Sequence, residues 1–247
     1  LIFILWICFI VIAGRKTIKV KHPVLVVVAH PDDESMFFAP TILKLIYTGY
    51  HVDLLCVTTG NYDGLGDVRK LEMNSAARKL GIRRLSIIDS EGLKDGPASS
   101  WSEKELTDII SKTCCEFRSQ SVISFDKLGV SGHKNHCVLG EVLKKACRNK
   151  LIPQLYCLRS VSIIRKYCFL IDFFISILFR EDFICPPINL IHIPYTSMLK
   201  HKSQLVWFRW LYVYFSIYMY KNYIIHVPIT TYTMMRPWFN LVQNVYS

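Results

Sequence analysis

The chain has 247 residues and a formal net charge of +11, from 30 Lys and Arg residues against 19 Asp and Glu residues. Its length predicts one α/β domain, with room for a short anchor and a C-terminal extension. The basic residues mingle with apolar and aromatic ones and follow no recognition-helix, zinc-finger or RNA-binding pattern. This distribution argues against nucleic acid and favours an anionic membrane surface or an anionic headgroup as partner.

The N-terminus predicts a membrane anchor. The first 13 residues (LIFILWICFIVIA) are apolar and are followed by Arg15, Lys16, Lys19 and Lys21. Because a span takes about 20 residues, we expect residues 1–14 to be the end of a longer, single-pass anchor. A cleaved signal peptide is the alternative, but no small-x-small cleavage site precedes the basic cluster. The positive charges predict that the downstream domain faces the cytosol, and nine cysteines without a Cys-x-x-Cys pair favour a reducing compartment.

Strand-like and helical segments alternate after the anchor. The run Val24–Ala29 predicts a strand buried on both faces. Further strands are predicted at 51–57, 85–88, 122–125 and 154–158, and helices at 36–48, 67–80, 102–117 and 134–148. The helix at 102–117 carries a capping box, and the helix at 67–80 ends at a glycine. This alternation predicts an α/β fold with a Rossmann-like, mostly parallel sheet flanked by helices.

Two polar segments follow predicted strands and together supply the parts of a metal site. His30, Asp32 and Asp33 follow the first strand, and His133 and His136 follow the fourth, three residues apart. Three protein ligands and one open position suit a hydrolytic zinc ion, so we expect His30, Asp33 and His136 to bind the metal. Asp32 then takes a proton from water whose pKa the metal lowers, and His133 stabilises the oxyanion. The alternative for the His-x-x-His pair is that both are surface or capping histidines. The alternative for the two aspartates is that they cap the N-terminus of a helix.

The strings around these residues resemble a known family. They are AHPDDESMFFAP (29–40), GNY (60–62), GVSGH (129–133) and QLVWFRWLY (204–212). They are similar to the LmbE-like N-acetylglucosamine deacetylases and, among these, to the eukaryotic PIG-L branch. The resemblance covers about residues 22–225, which predicts a catalytic domain at 22–225 and a C-terminal tail at 226–247.

The resemblance implies a reaction, a location and roles for the same five residues, with His133 either stabilising the oxyanion or protonating the leaving group. It implies removal of acetate from N-acetylglucosaminyl-phosphatidylinositol, the second step of glycosylphosphatidylinositol-anchor synthesis, at the cytosolic face of the endoplasmic reticulum. It also implies that Arg69, in a Gly-x-x-Arg-x-x-Glu segment, meets the phosphate or sugar of the substrate. Glu72, which ends that segment, is predicted to bind the substrate with it. An ordinary surface pair is the alternative for these two residues. Asp126, at the end of the fourth strand, either orients an imidazole beside the substrate or caps a turn.

The last third of the chain has an unusual composition. Residues 183–247 hold 15 of the 32 aromatic residues and no acidic residue. Tyr and Trp mixed with Lys and Arg are typical of a membrane-interface segment, whereas an apolar helix buried against the sheet is the alternative. We expect a half-buried helix that touches lipid around 210–220. The run 168–179 has the same ambiguity, with Asp172 arguing against a span.

The expected function is a metal-dependent deacetylase at a membrane, with the lipid-linked N-acetylglucosamine as substrate and no protein partner assigned. Zinc is the expected metal, although two histidines and one carboxylate also suit iron or manganese. One alternative is a deacetylase of a soluble N-acetylglucosaminide. The other alternative is a non-catalytic, membrane-bound glycan-binding subunit. The predicted base beside the metal site argues against it, because glycan binding alone does not need a base.

Overall fold

Six strands form one sheet at the centre of the computed structural model, which describes residues 19–96 and 99–228. The order across the sheet is β3-β2-β1-β4-β5-β6. The first five strands are parallel and β6 is antiparallel to β5. The strands are β1 Val24–Val28, β2 Val52–Cys56, β3 Leu85–Ile87, β4 Ser121–Phe125, β5 Gln154–Leu158 and β6 Ile224–Val227. The predicted α/β class, with a mostly parallel sheet, is confirmed.

The position of β1 determines where the site lies. All five of its residues are buried, as expected for an apolar strand with neighbours on both sides. Val24 pairs with Val52 of β2 on one side and with Ser121 of β4 on the other. The chain therefore builds the sheet outward from β1 in both directions, which opens a crevice at the carboxyl ends of β1 and β4. The two predicted polar segments follow these two strands.

Helices flank the sheet, and four of them, at 39–47, 66–80, 103–116 and 134–148, lie close to the predicted positions. The helices are α1 Ala39–Tyr47, α2 Gly66–Leu80, α3 Glu103–Glu116, α4 Gly129–Gly132, α5 Lys134–Arg148, α6 Ile163–Tyr167, α7 Phe169–Leu178, α8 Ile193–Met198 and α9 Trp207–Phe215. A π-helical turn, Glu34–Phe38, leads into α1. Gly81 ends α2 with a φ of 83°. Ser102 caps α3 by accepting the Glu105 N–H, but the Glu105 carboxylate bonds Ser90 instead of completing the predicted capping box.

The C-terminal part differs most from expectation. Strand β6 was not predicted, and it runs through the boundary that the sequence suggested after residue 225. Helix α9 buries only Tyr212 and Val213, so the aromatic segment is half-buried. Within the described residues, no helix has the length and hydrophobicity needed to cross a bilayer. The predicted anchor at 1–14 and residues 229–247 of the predicted tail lie outside those residues.

Candidate active site

The loop after β1 is folded by its own carboxylates. Oδ2 of Asp33 accepts hydrogen bonds from the backbone N–H groups of Ala29, at 3.0 Å, and His30, at 2.8 Å. The N–H of Asp32 donates to Oε2 of Glu34 at 3.1 Å. These bonds satisfy amides that the strand and the following helix leave without partners. They also hold Asp32 at a φ of 123°, a conformation that a non-glycine residue adopts only when its surroundings enforce it.

A buried ion pair joins this loop to the C-terminal third of the chain. Nε2 of His201 lies 2.6 Å from Oε1 of Glu34, and both side chains are fully buried. Burial disfavours the charged forms, but each partner offsets it. The pKa of the Glu34 carboxyl is lowered and the pKa of His201 is raised. The pair therefore links residue 34 to a turn 167 positions later in the chain.

The loop after β4 is organised by Asp126. Its Oδ1 accepts from the N–H groups of Leu128 and Gly129 at 3.0 and 3.1 Å, and from the hydroxyl of Ser160 at 2.6 Å. Of the two alternatives for Asp126, the turn cap is the one that the structure shows. Among the described residues it makes no hydrogen bond to an imidazole, and it does not line the cavity described below. Its effect on the site is indirect, because the carbonyl of Gly129 lies 3.3 Å from Nδ1 of His136.

Three histidines converge where the two loops meet. His30, His133 and His136 each have one ring nitrogen that lies within 4.8 Å of a ring nitrogen of the other two. Oδ1 of Asp33 lies 3.2 Å from Nε2 of His136. The two atoms are close but do not have hydrogen-bond geometry, and that buried nitrogen has no hydrogen-bond partner among the described residues. A buried imidazole nitrogen is rarely left unsatisfied, and a cation shared between these two atoms would satisfy it. The donor set suits a divalent metal of the zinc type.

The charges around the cluster also favour a cation. Burial raises the pKa of Asp33, but the adjacent His136 and His30 outweigh it and hold that pKa well below its usual range. Burial lowers the pKa of His30, yet the carboxylates of Asp33 and Asp95 raise it to about 9. The pKa of His133 is lowered to about 4 by burial and by the other two imidazoles. A metal ligand must be deprotonated, so metal binding would displace the proton of His30.

Asp32 points into the same cavity with the properties of a proton acceptor. Its side chain is buried, and Oδ2 accepts no hydrogen bond from the described residues. Nη2 of Arg209 lies 3.2 Å from that oxygen, and Nη2 of Arg69 lies 3.9 Å from Oδ1. Burial raises the pKa of Asp32, the arginines oppose the rise, and the charge of Asp33 adds to it. A carboxylate with a raised pKa accepts a proton at neutral pH more readily than an ordinary one.

Arg69 and Glu72 are placed differently from each other. Arg69 lines the cavity, but its guanidinium donates to the backbone carbonyls of Gly60, at 3.0 Å, and Pro31, at 2.7 Å. It therefore holds the loop that carries Asp32. Glu72 does not line the cavity, because its carboxylate accepts from the N–H and hydroxyl of Ser203 at 2.8 and 2.6 Å. Glu72 thus links α2 to the turn before α9, and the structure does not bring it into the cavity with Arg69.

The cavity above the histidines has a volume of about 330 Å³. It is lined by His30, Asp32, Asp33, Met36, Phe37, Arg69, Asp95, Ser131, His133, His136, Lys166, Tyr167, Gln204, Phe208, Arg209 and Tyr212. All five of the residues predicted to bind metal or catalyse are thus brought together in one cavity. This volume is within the range of pockets that enclose a small ligand.

Comparison with known proteins shows the family of this chain. Residues 25–147 match the family described as PIG-L: GlcNAc-PI de-N-acetylase. The chain is 37% identical over 205 residues to N-acetylglucosaminyl-phosphatidylinositol de-N-acetylase of Bos taurus, covering 80% of this chain and 81% of that protein. It is 35% identical over 225 residues to the probable enzyme of that name of Schizosaccharomyces pombe, covering 85% and 88%. The chain belongs to this family.

Membership in the de-N-acetylase family confirms the prediction of a deacetylase, a hydrolase that acts on an amide bond. It also removes the non-catalytic alternative. The fold agrees with N,N'-diacetylchitobiose deacetylase from Pyrococcus horikoshii, with a TM-score of 0.63 over 97% of this chain and 98% of that one. At 16% sequence identity, that likeness concerns the fold alone.

Three cavity residues of this family member were given no role from sequence. Oδ1 of Asp95 lies 3.1 Å from Nε2 of His30 and can orient that imidazole. Asp95 follows β3, so the rule that led to the other two loops could also have found it. Nζ of Lys166 donates to the hydroxyl of Ser131 at 2.7 Å, and burial lowers its pKa to about 8. Lys166 and Arg209 lie in apolar, aromatic stretches of the sequence. A charged residue in such a stretch was the only sequence feature that could have indicated a role in the site.

Proposed function

We propose that this chain hydrolyses the N-acetyl group of N-acetylglucosaminyl-phosphatidylinositol to glucosaminyl-phosphatidylinositol and acetate, the second step of glycosylphosphatidylinositol-anchor synthesis. One observation carries the proposal. A buried carboxylate with a raised pKa, Asp32, stands beside a histidine cluster with an unsatisfied nitrogen, in a cavity that is also lined by three cationic side chains. The names of the curated relatives support the substrate.

His30, Asp33 and His136 would hold the metal, and zinc is the ion that we propose. When bound, the ion would polarise the acetyl carbonyl and make water acidic enough to lose a proton near neutral pH. Asp32 takes that proton, and Arg209 keeps its carboxylate in place at 3.2 Å. Asp32 then returns the proton to the departing amine, which needs one to leave.

His133 stabilises the transition state in this proposal. With a pKa of about 4 it is neutral at physiological pH, so it offers an N–H donor without an acidic proton. Such a donor suits the oxyanion that forms when water adds to the amide carbonyl. Of the two roles that the sequence left open for His133, the lowered pKa favours oxyanion stabilisation over protonation of the leaving group.

Two of the three cationic side chains that line the cavity favour the phosphorylated lipid over a soluble, uncharged N-acetylglucosaminide, whereas the third, Arg69, donates to backbone carbonyls. Lys166 and Arg209 both line the cavity with the histidine cluster. A phosphodiester binds such groups through charge-assisted hydrogen bonds. The sugar would then face the histidines while the inositol phosphate meets the cations.

We also propose that the chain works at the endoplasmic reticulum membrane with its catalytic domain in the cytosol. The apolar stretch at residues 1–13 is followed by four basic residues, which supports that orientation. The reaction product is itself a membrane lipid, so a membrane location suits both substrate and product.

The decisive experiment measures acetate release from N-acetylglucosaminyl-phosphatidylinositol by detergent-purified protein, with and without a chelator. We expect release that the chelator abolishes and added zinc restores. The exposed Asp89→Asn variant, outside the cavity, should behave as the parent protein does. Release from a soluble N-acetylglucosaminide, but not from the lipid, would contradict the proposed substrate.

A further inference from the structure

Exposed apolar side chains are concentrated on three helices. The described residues include 24 large hydrophobic residues that are exposed, of which nine lie in 163–179 and six in 206–215. These segments contain α6, α7 and α9. The most exposed members are Trp207 at 77% and Leu178 at 75%. Scattered exposed hydrophobic residues are normal, but such a concentration indicates a surface that is covered in use.

This apolar face borders the mouth of the active-site cavity. The rings of Tyr167, in α6, and Tyr212, in α9, lie 6.3 Å apart, and Nζ of Lys166 is 5.3 Å from the centre of each. Both tyrosines line the cavity, as does Phe208 of α9, which is 53% exposed. Helix α7 follows α6 after one residue, Cys168. A flat partner that covers these helices would therefore meet the cavity mouth.

The polar side of α7 faces inward. Asp172, its only acidic residue, is fully buried and pairs with Arg165 at 2.8 Å and with Lys221. It also accepts a hydrogen bond from the hydroxyl of Tyr223 at 2.9 Å. These bonds hold α7 against the domain and leave apolar side chains such as Leu178 outside. A helix of this kind lies along an interface and does not cross it.

The charge distribution identifies the occupant. Residues 163–228 contain three acidic residues, Asp172, Glu181 and Asp182. Asp172 is fully buried, Glu181 pairs with two arginines, and Asp182 is exposed. The exposed cations Arg180, Lys200 and Lys202 belong to the same part of the chain. Aromatic and aliphatic side chains beside several Lys and Arg residues, with Asp182 as the one exposed acidic residue of 163–228, match the headgroup region of a phospholipid bilayer.

We propose that α6, α7 and α9 form a lipid-docking face, which lies in the interface of a phospholipid bilayer and holds the cavity mouth against it. The inference rests on the proposed function, because a lipid substrate has to reach the cavity from the bilayer. The apolar side chains enter the boundary between headgroups and acyl chains. The substrate headgroup then reaches Lys166 and the histidines while its acyl chains stay in the membrane.

The first test compares two double variants of the full chain, each lacking one aromatic and one leucine side chain. Leu178→Ser with Trp207→Ser alters the docking face. Tyr47→Ser with Leu151→Ser is the control, because these residues are 61% and 52% exposed and lie just before β2 and β5, at the opposite edge of the sheet. Acetate release is measured with the lipid in phosphatidylcholine vesicles and with its water-soluble headgroup lacking acyl chains.

We expect the docking-face variant to lose about tenfold or more in rate on vesicles, because the apolar area that holds it there is removed. Its rate on the soluble headgroup should stay within about twofold, as should both rates of the control variant. Equal losses on the two substrates would assign the helices to the fold or the cavity and overturn the inference. An unchanged rate on vesicles would overturn it too.

A second measurement does not depend on turnover. Vesicles of brominated phosphatidylcholine quench tryptophans that reach the acyl chains, so the Trp207→Phe variant should lose part of the quenchable emission of the parent protein. Equal loss of emission in the parent protein and in the Trp207→Phe variant would contradict the proposed docking face. If the parent protein deacetylates neither substrate, the proposed function fails, and the quenching result then decides the docking face by itself.

Discussion

The Asp32→Asn variant tests the proposed mechanism most directly. Asparagine has the shape of aspartate, so the buried side chain keeps its packing and its neighbours while losing the ability to take a proton. A positioned general base contributes about 10²- to 10⁴-fold in rate, which is about 3–5 kcal/mol of transition-state stabilisation. We therefore expect kcat to fall by that factor on the lipid substrate, measured as acetate released by purified protein.

The same variant should keep its metal and nearly all of its stability. Asp32 is outside the cluster of His30, His133 and His136, so zinc content by elemental analysis should equal that of the parent protein. The lost ion pair should cost less than the about 3–5 kcal/mol of a fully buried one, because the Arg209 side chain is 26% exposed and can be hydrated. Turnover within about tenfold of the parent protein would refute the base role. Loss of zinc would show that Asp32 is a ligand.

Three further predictions concern the residues around the site. If Lys166 binds the phosphodiester, KM for the lipid should rise as pH increases through about 8, where its ammonium loses its proton, and Lys166→Arg should flatten that profile. Glu34→Gln should lower the free energy of unfolding by about 3–5 kcal/mol in urea titrations, because His201 stays buried without its carboxylate; a loss below about 1 kcal/mol would contradict this. Gly129→Ala should weaken zinc binding about 10- to 100-fold in calorimetry, because the added Cβ would lie 2.7 Å from the Cβ of a cluster histidine. Gly64→Ala is its control, with a similar positive φ and nothing within 4 Å, and equal losses in both would point to backbone strain instead.

The local sequence pattern was enough to predict the site residues that directly follow the ends of strands. An apolar run such as Val24–Val28 is buried wherever it pairs, and side chains that follow parallel strands meet at one edge. His30 and His136 could therefore be placed together from sequence although they are 106 positions apart. The contact of Glu72 with Ser203 could not, because it depends on how α2 packs against a turn 131 residues later. The antiparallel strand β6 has four residues and follows an aromatic segment without periodic pattern, so nothing local marked it.

The structure divides the site between two parts of the chain. The family match at 25–147 contains the histidine cluster, Asp32 and Asp33, the groups that act on the amide. Lys166 and Arg209, which face the same cavity, come from beyond that match, and the docking face lies there as well. Cleavage of an acetamide needs only the first set, whereas a charged lipid headgroup needs the second. Changes after residue 147 that keep the sheet intact should therefore alter KM and the preference for vesicles more than they alter kcat on the soluble headgroup. Arg209 and His201 are the exceptions, because the ion pairs Arg209–Asp32 and His201–Glu34 join the two parts, and the loss of either should change both quantities.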